Sequence, residues 1–302
     1  MQTKQIQKEI RQLLDRRKAI LLAHYYQRDE VQEIADIVGD SLALSIEAAK
    51  TAARIIVFAG VHFMAESAAI LSPEKTVLLP RLEAGCPLAD TVTPEALREA
   101  RKAHPNAVVV TYINSSAAVK ALSDICCTSA NAVRVVQSLS EDEILFVPDG
   151  NLARHTARFT EKKVIPWGGA CPVHDEIDAS AVARLKEAHP SAPLAAHPEC
   201  PQAVLDQADF VGSTAGILRF ARESQADKLL IGTEQGIFHR LRLENPGKTF
   251  ILASPSLLCE TMKVTTLEDI RSSLVENRHV IRVPDETAAA ARRALERMTA
   301  LS

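Results

Sequence analysis

Three cysteines carry the first chemical signal in this chain of 302 residues. Cys86 lies in EAGCPLAD, Cys171 in WGGACPVHDE and Cys259 in PSLLCETM; 85 residues separate the first two and 88 the last two. None sits in a C-x-x-C. Thiolates donated singly from three places can hold a 4Fe–4S cluster at three corners and leave the fourth iron open, whereas clusters that only carry electrons usually take four cysteines. An open iron is a Lewis acid that can hold a hydroxyl or carboxylate and assist loss of water. Zinc, with His174 as fourth ligand, is the other metal these residues suit. A free cysteine taken alone is better read as a small buried hydrophobe, so the intervals must be shown to mean something.

Other residues recur at matching intervals. His24 in AHYYQ, Tyr112 in TYINSS and His197 in AHPEC each follow an apolar strand, and stand 88 and then 85 residues apart. About 17 residues after each comes a small hydroxyl residue expected to open a helix: Ser41, Ser129 and Ser213/Thr214. Then follow VFAGVHFMAES, LFVPDGNLAR and LLIGTEQGIFHRL, each an apolar strand ending in a Gly-containing turn. Four feature classes in one order at one spacing define a three-fold internal repeat.

The elements that must position these groups follow the same rule. TPEALREARKAHPNAVVV and DASAVARLKEAHPSAPLA are near copies. Each begins at an N-cap candidate, Thr93 or Asp178, and each ends in Ala-His-Pro, which stops a helix. IQKEIRQLLDRRKAILLA and TLEDIRSSLVENRHVIRV read as further copies at the two ends. Short apolar strands alternating with helices predict small parallel sheets flanked by helices. The expected fold is therefore α/β, with three pseudo-symmetric domains at residues 1–104, 105–190 and 191–278 and a last segment, 279–302, packing back on the first. Open α/β sheets carry their sites at the carboxyl ends of the strands. If those ends all point inward, the three repeats share one central cavity.

Bulk properties narrow the function. The chain is 47% hydrophobic and 24% charged, with a formal charge of −3. That is ordinary globular composition, with no charge signal for nucleic acid or an anionic membrane. No apolar run approaches the roughly 20 residues of a membrane helix, and the charged N-terminus lacks a signal-peptide core, so the expected location is cytoplasmic. In that setting six cysteines read as thiols or metal ligands rather than disulfides.

The remaining polar residues suggest a multiply anionic substrate. Helix starts offer free N–H groups and positive dipole ends to carboxylates or phosphate. His24, Tyr26, His174, His197 and Glu199 add donors and acid–base groups. Tyr25, next to Tyr26, should face away into the core. Vicinal Cys126 and Cys127 have no counterparts in the other repeats and read as core. Cys200, in HPECP, falls in a strand-end cluster and is not a preferred ligand. The glycines of WGGACP are expected to let backbone approach a bulky inorganic cofactor. A zinc lyase or hydrolase and an Fe–S electron carrier are the competing functions; the convergent acids count against the carrier.

Together, AHYYQ, GDSLALS, AGCPLAD, TYINSSAAVKA, PDGNLAR, GGACPVH, HPEC, VGSTAGIL, GTEQGIFHRL and CETMKVTTLEDI resemble the quinolinate synthase family, the A protein of NAD biosynthesis, over nearly the whole chain. The resemblance implies a transferase that condenses iminoaspartate with dihydroxyacetone phosphate to quinolinate, phosphate and two waters. It implies a 4Fe–4S cluster on Cys86, Cys171 and Cys259. It further implies His24, Ser41, Tyr112, Asn114, Ser129, His197, Glu199 and Thr214 as contacts to iminoaspartate or product, with Tyr26, His174 and Glu199 as candidates for proton transfer. Transient contact with an aspartate oxidase, the family's source of iminoaspartate, would be the one protein partner. Some members carry a C-terminal C-x-x-C-x-x-C segment; TTLEDIRSSLVENRHVIRV has no cysteine, so redox regulation through such a segment is not expected here.

Overall fold

A computed structural model describes residues 2–301. Among these residues twelve strands form three four-stranded sheets, all parallel. The first holds β1 (Ala19–His24), β2 (Ile37–Gly39), β3 (Ile55–Ala59) and β4 (Thr76–Leu78). The second holds β5 (Val108–Tyr112), β6 (Ile125–Cys127), β7 (Glu143–Val147) and β8 (Lys163–Pro166). The third holds β9 (Leu194–Ala196), β10 (Phe210–Val211), β11 (Lys228–Gly232) and β12 (Thr249–Leu252). The spatial order is the same in each: β2-β1-β3-β4, β6-β5-β7-β8 and β10-β9-β11-β12. The chain thus reverses its winding beside the first strand of every sheet, the switch point at which α/β folds open a crevice. The central strands β3, β7 and β11 have apolar runs buried on both faces, as helix-covered parallel strands require.

One carboxylate ties each repeat together at its outer rim. Asp36, Asp124 and Asp209 each precede the second strand of their sheet. Their Oδ2 atoms accept the N–H groups of Leu21, Val109 and Leu194, each at 2.8 Å. Their own N–H groups return to the carbonyls of the same three residues. A base on the helix before the first strand completes each tie: Arg11 to Asp36 at 2.7 Å, Arg101 to Asp124 at 3.4 Å and Lys186 to Asp209 at 3.1 Å.

The near-copy helices Pro94–Ala103 and Ala179–Ala188 are capped by Thr93 and Asp178. The helix starts near the cavity follow expectation in the first and third repeats and depart from it in the second. Asp40 and Ser213 are the capping residues, leaving Ser41 and Thr214 as first helical residues. In the second repeat the Asn131 side chain accepts from the Thr128 N–H, closing a turn. The helix therefore begins at Ala132, and Ser129 lies in the turn before it.

The chain's last third returns to its start. Helix Leu267–Glu276 packs along helix Gln2–Arg17 and strand β3, and Leu78 of β4 bridges antiparallel to Val280. Helix Asp285–Thr299 lies against β6 and helix Ala117–Lys120 of the second repeat and against helix His62–Leu71 of the first. Its burial of Ala291, Ala294, Leu295 and Met298 joins these repeats in one apolar cluster. Among the described residues no helix is long and apolar enough to cross a membrane.

Candidate active site

The carboxyl ends of the three sheets open into one cavity of about 390 Å³. His24 and Tyr26 enter it from the end of β1, Tyr112 and Asn114 from β5, and His197 and Glu199 from β9. Ser41, Ser129 and Thr214 line it after the second strands, and Cys86, Cys171 with His174, and Cys259 after the fourth. Every site residue expected from the sequence is therefore on its wall. Tyr25 is not; it packs between two apolar clusters. Cys126 and Cys127 are fully buried on β6 in the largest cluster, and Cys200 is fully buried with Sγ against the Gly232 carbonyl.

The three cysteines are placed by one repeated backbone bond. The N–H three residues after the third strand donates to the carbonyl two residues before the cysteine: His62 to Ala84, Gly150 to Gly169 and Gln235 to Leu257. These bonds measure 2.7, 2.7 and 2.9 Å. The path from donor to acceptor is shorter in the second repeat, which is why the cysteine intervals run 85 then 88 while the strands run 88 then 85. Packing alone requires one of the two WGGACP glycines. A Cβ at Gly169 would stand 2.2 Å from Thr91 Oγ1 and 2.5 Å from the Pro148 carbonyl, whereas Gly168 faces open space.

Each of the three thiols is half-buried. Burial pushes Cys86 up to about 12, with Glu199 and Cys259 adding to the shift. Burial, then Glu199 and Cys86, hold Cys171 well above the usual thiol range, and burial raises Cys259. Thiols that raise one another are within electrostatic reach. All three are soft donors around one cavity, the set a cluster takes, and cationic iron would favour the thiolates that burial alone disfavours. Atoms close enough for a single ion are found at Cys171, His174 and Glu199, all within 4.8 Å of one another. There His174 Nδ1 is already 2.7 Å from Glu199 Oε2 and 3.4 Å from Cys171 Sγ.

A row of hydrogen bonds links all three repeats across the cavity. Thr214 Oγ1 donates to the Tyr26 hydroxyl at 3.1 Å, and that hydroxyl lies 2.6 Å from Thr233 Oγ1. Thr233 Oγ1 is 3.0 Å from His174 Nε2. With the His174 proton on Nδ1, every donor in the row finds an acceptor and the row ends on Glu199.

Glu199 is the electrostatic centre. Burial opposes its ionisation, but His197, His174 and the Tyr112 hydroxyl outweigh burial and hold it down to about 2. Burial first, and Lys263 next, lower His24 to about 3; burial lowers His197 to about 3. Both imidazoles are therefore neutral at neutral pH. Each accepts on Nδ1 the N–H two residues on, Tyr26 at 3.1 Å and Glu199 at 3.4 Å, which leaves Nε2–H to face the cavity. His197 Nε2 meets Ser129 Oγ at 3.1 Å. Burial, then Glu199, keeps Tyr26 and Tyr112 phenolic, so both remain donors.

Sequence reasoning missed Asp40, Thr128 and Glu234, which also line the cavity, and Thr233 behind it. Their signal was available: Asp40, Thr128 and Ser213 stand at the strand intervals of 88 and 85, and so do Val61, Asp149 and Glu234.

These features define a class: an α/β protein of three repeats whose sheets enclose one polar, thiol-bearing cavity. A family model described as NadA, Quinolinate synthetase A protein, matches residues 8–300. Proteins named quinolinate synthase are similar over nearly their full lengths. That of Geobacter sp. (strain M21) is 59% identical over 98% of this chain and 97% of its own. That of Methanoregula boonei is 56% identical over 98% of both chains, and that of Thermodesulfovibrio yellowstonii 50% identical over 97% of both. The chain belongs to the quinolinate synthetase A family.

Proposed function

We propose that the chain is a cytoplasmic transferase that makes quinolinate for NAD biosynthesis, condensing iminoaspartate with dihydroxyacetone phosphate and releasing phosphate and two waters. The observation that carries this reading is the meeting of Cys86, Cys171 and Cys259 with Glu199 and its partners in one cavity of a family member. In this reading the three cysteines hold a 4Fe–4S cluster, which supplies Lewis acidity for loss of water.

The protein's own groups divide the remaining work. Ser41, Ser129 and Thr214 offer hydroxyls to the substrate carboxylates, and His24 and His197 offer Nε2–H. Tyr112 and Asn114 orient the substrate from β5. Glu199, ionised and already holding hydrogen bonds, is the base that takes a proton from carbon or nitrogen. Tyr26 and His174 stand along the row that ends on Glu199, so a proton can be returned to a leaving oxygen without bulk water. Burial of His24, Tyr26, Tyr112, His174, His197, Glu199 and Thr214 strengthens their interactions and keeps water from competing, while Ser41, Asn114 and Ser129 are half-buried.

The test is anaerobic purification with iron and sulfide analysis, followed by assay with fresh iminoaspartate and dihydroxyacetone phosphate. Four irons and four sulfides per chain with quinolinate formed is the expected result. A full cluster with no quinolinate overturns the activity. A mononuclear zinc enzyme is the second reading, carried by the closeness of Cys171, His174 and Glu199. A colourless anaerobic protein with one zinc per chain would select it.

A further inference from the structure

We propose that Glu234 and Lys263 are positioning residues that fix Cys259 of the third repeat against Tyr26 of the first. Glu234 is fully buried at the end of β11. Its Oε1 accepts the Cys259 N–H at 3.2 Å, and its Oε2 accepts the Gly236 N–H at 2.6 Å. Lys263 Nζ lies 2.9 Å from Oε1 and 3.1 Å from Oε2, and also donates to the Tyr26 carbonyl. The same ion pair thus grips the backbone of both residues.

Neighbouring bonds reinforce this grip. Gln27 Nε2 donates to the Met262 carbonyl at 2.8 Å, and Arg28 Nε to the Lys263 carbonyl at 2.7 Å. Gln32 Nε2 donates to the Gly236 carbonyl at 3.0 Å. Gly236 leaves no room for a side chain, since a Cβ there would stand 2.6 Å from Lys263 Nζ and 2.8 Å from both Glu234 Oε2 and Tyr26 Cα. The adjacent Thr233 holds the Tyr26 hydroxyl itself.

The other repeats lack this device. The positions equivalent to Glu234 are Val61 and Asp149. Val61 has no acceptor to offer, and Asp149 caps its helix with Oδ1 at the Leu152 N–H and stands within reach of the Cys171 N–H, without a lysine paired to it. Cys86 therefore rests on the shared backbone bond, Cys171 adds the Asp149 carboxylate near its N–H, and Cys259 has a lysine-paired carboxylate on its N–H. A buried ion pair is a poor source of stability but a good device for fixing one geometry. The assignment of Cys259 as a site residue rests on the function proposed above; the placement of its backbone does not.

The experiment is alkylation of the full chain, purified without metal, with each cysteine followed separately by mass spectrometry. Glu234→Ala is expected to speed modification of Cys259 about tenfold, the worth of one hydrogen bond to a charged acceptor, and to leave Cys86 and Cys171 within about twofold. Lys263→Met should act in the same direction, less strongly. Glu234→Gln keeps an acceptor oxygen for the Cys259 N–H and should restore most of the protection. On reconstituted protein, Glu234→Ala should release iron to a chelator faster than wild type. Unchanged Cys259 reactivity, or equal acceleration at all three cysteines, overturns the proposal. If Glu234→Ala does not fold, Lys263→Met and Glu234→Gln decide it by the same selectivity. Because alkylation needs neither cluster nor substrate, a failure of the quinolinate assay leaves this result readable.

Discussion

The outer and inner rims of the three repeats obey different rules. On the outer rim, Asp36, Asp124 and Asp209 make one bond in three copies, to the same distance. On the inner rim, equivalent positions diverge: His24, Tyr112 and His197 on the first strands, and Val61, Asp149 and Glu234 after the third. The outer carboxylates solve a problem every repeat has, how to start a second strand beside the first. The inner residues solve a problem the molecule has once, how to surround an asymmetric reactant. Symmetry therefore marks the scaffold, and its breaking marks the site.

The comparison can be broken hardest at the thiols. Cys86→Ala, Cys171→Ala or Cys259→Ala should each abolish iron and sulfide retention under anaerobic conditions. Cys200→Ala, buried behind the wall, should leave the iron content at the wild-type value. If Cys200→Ala empties the site and Cys259→Ala does not, the inner rim has been read wrongly. Next in size is Glu199→Gln, which keeps the shape but removes the base. A fall in quinolinate formation of about 10²–10⁴-fold with an unchanged circular dichroism spectrum is the expected outcome.

The outer rim should respond in stability and not in turnover. Asp209→Ala should lower stability by about 1 kcal/mol, seen as a shifted urea midpoint, with quinolinate formation per folded protein unchanged. The pH dependence has a definite sign. Burial opposes ionisation of Asp209, but the Leu194 N–H and Lys186 outweigh it and hold the carboxyl below its ordinary value. Its contribution is thus complete at neutral pH and is lost as pH falls below about 4 toward the lower folded value. The midpoints of wild type and Asp209→Ala should converge through that range. The smallest contrast lies within WGGACP. Gly169→Ala must push on Thr91 and the Pro148 carbonyl and should cost about 1–3 kcal/mol, while Gly168→Ala should fall within about 0.5 kcal/mol of wild type by the same urea measurement.

Much of this was legible in the sequence because it was written three times. A serine before a helix or a cysteine behind two glycines is uninformative alone, but matching intervals turn weak local patterns into a map of one cavity. What the repeat could not show was geometry within a copy. Ser129 was expected at a helix start, yet the Asn131 side chain closes a turn and delays the helix to Ala132. Nothing in GTEQG sets Glu234 apart from any other acid, because its partners Cys259 and Lys263 are reached only through the fold. Asp36, Asp124 and Asp209 stand at the strand intervals and could have been found by the same comparison; as single aspartates before short strands they drew no notice.

The bridge from Leu78 to Val280 has a consequence for how the molecule is made. The outer edge of the first sheet is closed by residues roughly two hundred positions downstream: Leu79 N–H donates to the His279 carbonyl, and Ile281 N–H to that of Val77. At ribosomal speeds the intervening chain takes on the order of tens of seconds to appear. For that time the earliest repeat carries an open strand edge, with nothing of its own to seal it. The unit synthesised first must therefore wait for residues 277–281 before its edge is covered.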